Sequence, residues 1–257
     1  MKNMLRGLTF VMAIAVLAMS GGNKAAASGG GEMKHIDWGH EGPFGTYDRG
    51  ALQRGYQVYT EVCASCHSMR LLYFRNLTDI GYSEDQVKAI AAEYDVVDGP
   101  DNEGEMFERP GKPSDQFPLA FPNDNAARAS NNGALPPDLS LIAKARVGGA
   151  NYLYSLMVGY GEAPEDMVLA DGMEYNAYFP NHQIAMPAPL DDESVEYSDG
   201  TPATLDQHSR DVSVFLAWAA EPKLEERHRI GVKVMIFLLI MVVLTYLVKR
   251  RVWSDLH

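Results

Sequence analysis

Cys63-Ala64-Ser65-Cys66-His67 is the stretch on which the reading of this 257-residue chain turns. Its two cysteines are the only ones in the chain. Two thiols three positions apart can each form a thioether with a haem vinyl group, and the histidine that follows then faces the iron. Three blander readings compete and fall short. A thioredoxin-like redox pair needs strand-then-helix flanks, which these residues lack. A structural zinc site needs four Cys or His ligands at paired spacings, and there is no second pair. A disulfide across two residues closes too small a loop to stabilise much. The motif points to one c-type haem held covalently through Cys63 and Cys66, and so to electron transfer.

Upstream of the motif, Leu52, Tyr56, Tyr59 and Val62 form an apolar stripe at helical spacing, predicting a helix over Asp48 to Cys63. Gly55 in its middle costs up to ~1 kcal/mol against alanine, so it is either tolerated or lets another helix approach closely. The expected partner runs from Leu205 to Ala220, with Leu205, Val212, Phe215 and Ala219 on one face and Thr204 with Gln207 as a capping box. Glu221-Pro222 stops it. Shorter helices are expected at Ser83 to Glu93, Pro137 to Arg146 and Ala150 to Val158. Residues 96–123 hold five prolines and several glycines, so a loop excursion without strands is expected there. The fold class is mainly α, a cytochrome c-like haem domain with long loops.

Both ends of the chain carry membrane signals. Met1-Lys2-Asn3-Met4-Leu5-Arg6, the apolar stretch from Leu8 to Met19 and the small-residue exit Ala25-Ala26-Ala27 read as a secretory leader over residues 1–27. A retained anchor is disfavoured by so short an apolar core. Near the other end, Ile230 to Val248 is apolar apart from Lys233 and the mild Thr245. At about 1.5 Å per residue it makes a helix of roughly 29 Å, close to the thickness of a bilayer's hydrocarbon layer. Lys233 can snorkel, and Lys249-Arg250-Arg251 directly after the span favour the cytoplasmic side. The expected organisation is a leader (1–27), a periplasmic haem domain (28–226), a transmembrane anchor (227–250) and a cytoplasmic tail (251–257).

Residues 28–229 contain 15 Lys plus Arg against 33 Asp plus Glu, a balance of −18, while the whole chain carries −12. So acidic a domain excludes nucleic acid as the default partner and suits a basic protein; surface acid that only confers solubility is the alternative. If His67 is one axial ligand, the opposite face of the iron takes methionine, histidine or nothing. Met186, in Ile184-Ala185-Met186-Pro187-Ala188-Pro189, is favoured because the prolines keep its loop stiff and non-helical; His182 and an open site remain alternatives.

Several segments together resemble the cytochrome c1 family. They are Cys63 to Met69, the run Asn131-Asn132-Gly133-Ala134-Leu135-Pro136-Pro137-Asp138-Leu139-Ser140, Tyr178-Phe179-Pro180 with Met186 downstream, Asp199-Gly200-Thr201-Pro202-Ala203-Thr204, and Ala219-Ala220-Glu221-Pro222 ahead of a single anchor. The resemblance implies that Met186 is the sixth ligand of a His67/Met186 haem. It further implies that Asn131, Leu135, Pro136 and Pro137 line the haem, with Phe179 and Ile184 in the same pocket. Arg146 matches an arginine that meets a haem propionate, and Tyr152 a pocket tyrosine. The family's place is the ubiquinol-cytochrome c reductase, the cytochrome bc1 complex of the bacterial inner membrane. Implied partners are cytochrome b, the Rieske iron-sulfur protein and a soluble basic c-type cytochrome, in a dimeric complex. No side chain is expected to do acid-base or nucleophilic chemistry, and no disulfide is expected. A free-standing membrane-tethered cytochrome c is the alternative function.

Overall fold

The computed structural model describes residues 30–254. The expected leader and the last three residues of the expected tail lie outside the described residues.

The first helix, α1 (Arg49–Glu61), starts where the Asp48 carboxylate accepts from the amides of Gly50 and Ala51. It buries Leu52, Gly55, Tyr56, Val58 and Tyr59, the face anticipated from the apolar spacing. After it come α2 (Glu84–Ala92), the antiparallel hairpin β1 (Asp95–Asp98) and β2 (Phe107–Pro110), α3 (Asp124–Ser130), α4 (Ile142–Ala145) and α5 (Ala150–Met157). A two-residue antiparallel pair, β3 (Glu174–Tyr175) and β4 (Gln183–Ile184), precedes α6 (Leu205–Ala220) and α7 (Leu224–Val252). The described architecture is mainly helical with long connections, as the fold-class expectation has it.

The core is the crossing of α1 on α6. Tyr56 and Tyr59 pack on Phe215, with ring centroids 5.8 Å apart in each case, and Phe117 and Trp218 extend the aromatic layer. Outside this layer Arg54 clamps Asp211 through Nε (2.8 Å) and Nη2 (3.1 Å) and reaches Asp199 at 2.9 Å. Planar bidentate pairing of this kind fixes the register of the two helices as well as holding them together. Helices α4 and α5 pack on the same α6.

Three local expectations need correcting. Residues 96–123 are not free of strands. Val96 and Val97, β-branched and followed by turn residues, pair with Arg109 and Glu108. Arg109, bonded to Asp98 and to Asp115 (2.6 Å), staples that hairpin to the next loop. The helix expected from Pro137 shrinks to Ile142–Ala145, because the Leu139 amide is drawn to the Ser68 carbonyl (2.9 Å) and the Ser140 amide to Asp138 (2.9 Å). At α6 only half a capping box forms. Thr204 accepts from the Gln207 amide at 3.2 Å, but the Gln207 side chain bonds Asp211 at 2.9 Å. A full capping box appears instead at Ser83 and Gln86, ahead of α2.

Helix α7 runs 29 residues, beyond both ends of the apolar segment. Glu225 and Glu226 lie in its first turn and Lys249, Arg250 and Arg251 in its last, the arrangement a helix dipole favours. It is long and apolar enough to cross a membrane. Its start is tied to the domain: Glu225 accepts from the Tyr47 amide and from Arg49, each at 2.8 Å, and the His228 ring meets the Gly45 carbonyl at 3.1 Å.

Candidate functional site

The cysteine motif folds as one 3-10 turn, Cys63–Ser65, directly off the end of α1. The Cys63 carbonyl accepts from the amides of Cys66 (3.1 Å) and His67 (2.8 Å), so both thiols and the imidazole leave the chain within a single turn. Both thiols are free. Burial, with Cys66 nearby, pushes the Cys63 thiol up to about 12, which keeps it protonated until something reacts with it.

His67 is oriented from both sides. Its Nδ1 lies 2.8 Å from the Pro137 carbonyl oxygen, and its own carbonyl accepts from the Tyr59 hydroxyl at 3.2 Å. A carbonyl can only accept, so Nδ1 carries the proton and Nε2 presents a lone pair; the hydrogen bond thereby sets the tautomer that a metal ligand requires. Burial lowers the His67 pKa against the smaller opposing effects of Pro137 and Asp138, favouring the neutral, ligating form. The segment carrying Pro137 is fastened alongside. Asp138 accepts from the Arg70 amide at 2.9 Å, and Ser140 Oγ accepts from the Leu71 amide at 3.0 Å.

Leu135, Pro136 and Pro137 line a cleft of about 140 Å³ together with Cys66, Phe121 and Ala127. Leu135 is 38% exposed, an apolar side chain left open on that wall. Asn131 stands at the end of α3, where its side-chain amide donates to the Ala127 carbonyl at 2.7 Å. The structure therefore brings Cys63, Cys66, His67, Leu135, Pro136 and Pro137 into one neighbourhood, while Asn131 is bonded to Ala127 behind the cleft wall and does not itself line it.

Of the remaining sequence-derived residues, Tyr152, Phe179, Ile184 and Met186 lie on α5 and in the chain that returns to its end, whereas Arg146 follows α4. Tyr152 is half-buried on α5, Ile184 is buried in β4 and Met186 is half-buried in the loop beyond. The Met186 carbonyl accepts from the Tyr160 hydroxyl at 3.1 Å, and the Phe179 amide donates to Asn176 Oδ1 at 3.2 Å. Arg146 is exposed and its guanidinium donates to the Ala145 carbonyl at 3.2 Å. His182, the alternative ligand, stacks on Tyr175 with centroids 5.9 Å apart and leaves Nδ1 buried without a partner.

Sequence reasoning missed Tyr59, Asp138, Tyr160 and Asn176. Tyr59 counted there only as a stripe residue, and the other three act on backbone groups far along the chain, which no spacing reveals. Among the described residues no group of three or more His, Cys, Asp or Glu gathers as it would around a bare ion. Two free thiols and a pre-set imidazole in one turn, beside an apolar wall, do fit a c-type haem.

Comparison with known proteins agrees over far more than this turn. The model of the Cytochrome C1 family matches residues 38–256. A relative from Arabidopsis thaliana named "Cytochrome c1 1, heme protein, mitochondrial" is 52% identical over 231 residues, covering 90% of this chain and 75% of its own. The "Cytochrome c1" of Rhodospirillum rubrum is 46% identical over 256 residues, covering 93% and 94%. "Cytochrome b/c1" of Bradyrhizobium diazoefficiens is 49% identical over 242 residues, 86% of this chain but only 35% of that longer protein. Because the family match extends from the segment before α1 through the apolar α7, and is not confined to the cysteine turn, this chain belongs to the cytochrome c1 family.

Proposed function

We propose that this chain is the haem-carrying subunit of a cytochrome bc1 complex, taking electrons from the Rieske iron-sulfur protein and passing them to a soluble basic c-type cytochrome. Family membership supports the c-type haem and the place beside cytochrome b. The observation that carries the site reading is the 2.8 Å contact of His67 Nδ1 with the Pro137 carbonyl, next to two free thiols. In this reading Cys63 and Cys66 would hold the haem through thioethers, and His67 Nε2 and Met186 Sδ would ligate its iron. Methionine and histidine ligation together would favour the reduced state and raise the potential. When bound, the haem supplies a one-electron iron couple.

The protein's own part is to hold and to shield. Pro137 fixes the His67 tautomer, Leu135 and Pro136 keep the adjoining wall apolar, and Asn131, Phe179, Ile184 and Tyr152 complete the pocket. Arg146 supplies a guanidinium for a propionate, and no side chain exchanges protons with a substrate. Residues 1–27 are a leader removed on export, 28–226 a periplasmic domain, 227–250 an anchor in the bacterial inner membrane packed on cytochrome b, and 251–257 a cytoplasmic tail. The complex is dimeric.

The test is an oxidised and a reduced absorption spectrum of the gently extracted protein, with a search for b-type haem in the same particle. A low-spin c-type spectrum with b haem and quinol-oxidising activity supports the proposal. A c-type spectrum from a chain that always extracts alone favours the free-standing tethered carrier.

A further inference from the structure

The Met186 loop has no regular structure of its own, yet its backbone is held at two points. Asn176 is fully buried in the loop ahead of it. The Asn176 side chain donates from Nδ2 to the Leu156 carbonyl on α5 (2.8 Å) and accepts at Oδ1 from the amides of Tyr178 (3.0 Å) and Phe179 (3.2 Å). Its backbone amide donates to the His182 carbonyl at 3.1 Å. One residue thus joins the end of α5 to the β3–β4 turn, its side chain holding the first limb and its backbone amide the second. The second point is Tyr160, which forms an isolated bridge with Asn176 and whose hydroxyl donates to the Met186 carbonyl at 3.1 Å. Pro187 then confines Met186 to extended backbone.

The approach of these pieces leaves no slack. A Cβ on Gly159, between α5 and Tyr160, would lie 2.6 Å from the Tyr178 ring and 2.8 Å from Asn176 Oδ1. Side chains that are themselves locked by packing and hydrogen bonds are what hold a ligand to a fixed distance, and a thioether, a weak neutral ligand, depends on that support.

We propose that Tyr160 and Asn176 are positioning residues for the Met186 thioether: they fix the loop backbone so that the thioether stays on the sixth position of the haem iron. The inference rests on the ligation by Met186 proposed above. Neither residue touches the iron, and neither was singled out by the sequence.

The test uses the membrane-extracted holoprotein and four variants. Tyr160→Phe removes only the hydroxyl. Loss of one ordinary hydrogen bond raises the fraction of ligand-detached protein roughly fivefold. The near-infrared methionine-to-iron charge-transfer band should therefore weaken, and carbon monoxide should bind the reduced protein several-fold faster. Tyr154→Phe is the control: it too loses a phenol hydrogen bond on this side of the molecule, to Asp206 at 2.5 Å, but one unconnected to the loop. It should lower stability without changing band or carbon monoxide rate. Asn176→Ala should exceed Tyr160→Phe in both readouts, and if it does not fold the Tyr160 variant still decides. A Tyr160→Phe protein with a native band and native carbon monoxide rate overturns the inference. Met186→Leu separates the two levels: if it abolishes the band while Tyr160→Phe leaves it intact, only the positioning role fails. If Met186→Leu keeps the band, the ligand assignment fails and the inference with it.

Discussion

Gly55 on α1 faces the backbone of Asp211 on α6 so closely that a Cβ at Gly55 would lie 2.1 Å from the Asp211 carbonyl oxygen and 2.7 Å from Phe215 Cβ. The glycine that looked like a weak point in a helical stripe is the contact on which the first and last helices of the domain cross. Gly55→Ala should therefore destabilise by at least the 1–3 kcal/mol typical of overpacking, roughly, because backbone cannot step aside as a side chain can. Gly161→Ala, where nothing lies within 4 Å, should change stability by under about 0.5 kcal/mol. Denaturant unfolding of the two variants checks this, and equal costs would remove the crossing argument.

A pH dependence in two stages follows from groups outside the apolar helix α7. His40 and His208 are buried, which lowers their pKa values below the ordinary 6.5. For His208, Asp211 and Asp192 oppose the shift without cancelling it. A histidine depressed in the folded state adds stability that is complete above the unfolded value and is lost as pH falls through the folded one. The first decline should begin below about pH 6.5. The second belongs to carboxylates. Thr201 and Arg54 hold Asp199 down at about 2, and Arg109 lowers Asp115 and Asp98. Their contribution is present above about pH 4 and disappears toward pH 2. Melting temperature followed from pH 8 to 3 should fall in both windows, and His208→Gln should flatten the upper one selectively. A wild-type curve level from pH 7 to 5 would refute the histidine part.

Asp138 offers a test of how the His67 wall is held. Its carboxylate accepts from the Arg70 amide at Oδ2 and from the Ser140 amide at Oδ1, each at 2.9 Å, one residue after the carbonyl that orients His67. Asp138→Ala leaves both amides without their charged acceptor, a loss of roughly 1.5–3 kcal/mol for each such bond before water compensates. Amide exchange at Arg70 and Ser140 should speed up together. Exchange rates unchanged from wild type would mean that the segment is held without Asp138, by the Leu139–Ser68 and Leu71–Ser140 bonds.

What could be read from residues alone, and what could not, divides along the range of the interactions. The stripe Leu52, Tyr56, Tyr59 is a local pattern, and the helix it anticipates is there. The same holds for α6 and for the apolar run inside α7. Residues 95–110 failed because prolines and glycines advertised a loop, while Val96 and Val97 carried a strand signal too short to outweigh them. Gln207 failed as a capping partner because Asp211, one turn on, offered its side chain a competing bond. The cysteine turn was legible because thioether attachment of a haem tolerates little variation in spacing. The prop beneath it, the Pro137 carbonyl, lies 70 residues away and offers a backbone atom that any residue possesses. Asn176 was hidden for a similar reason: its partners are main-chain groups from Leu156 to His182, so its importance lies in where the chain passes.

The charge of the domain leads to the last expectation. Residues 28–229 carry a balance of −18, and the basic residues on either side, in 1–27 and 230–257, bring the whole-chain figure to −12. A field of that sign accelerates encounter with a basic cytochrome over distances beyond contact, and added salt shortens its reach from about 30 Å at 0.01 M to about 8 Å at 0.15 M. The second-order rate of electron transfer to a basic soluble cytochrome should therefore drop by at least tenfold across that range, while transfer to a neutral small-molecule oxidant stays constant. If both rates decline alike, salt acts on the haem site itself. If neither declines, the acidic surface serves solubility, and docking is governed by the apolar residues around the cleft.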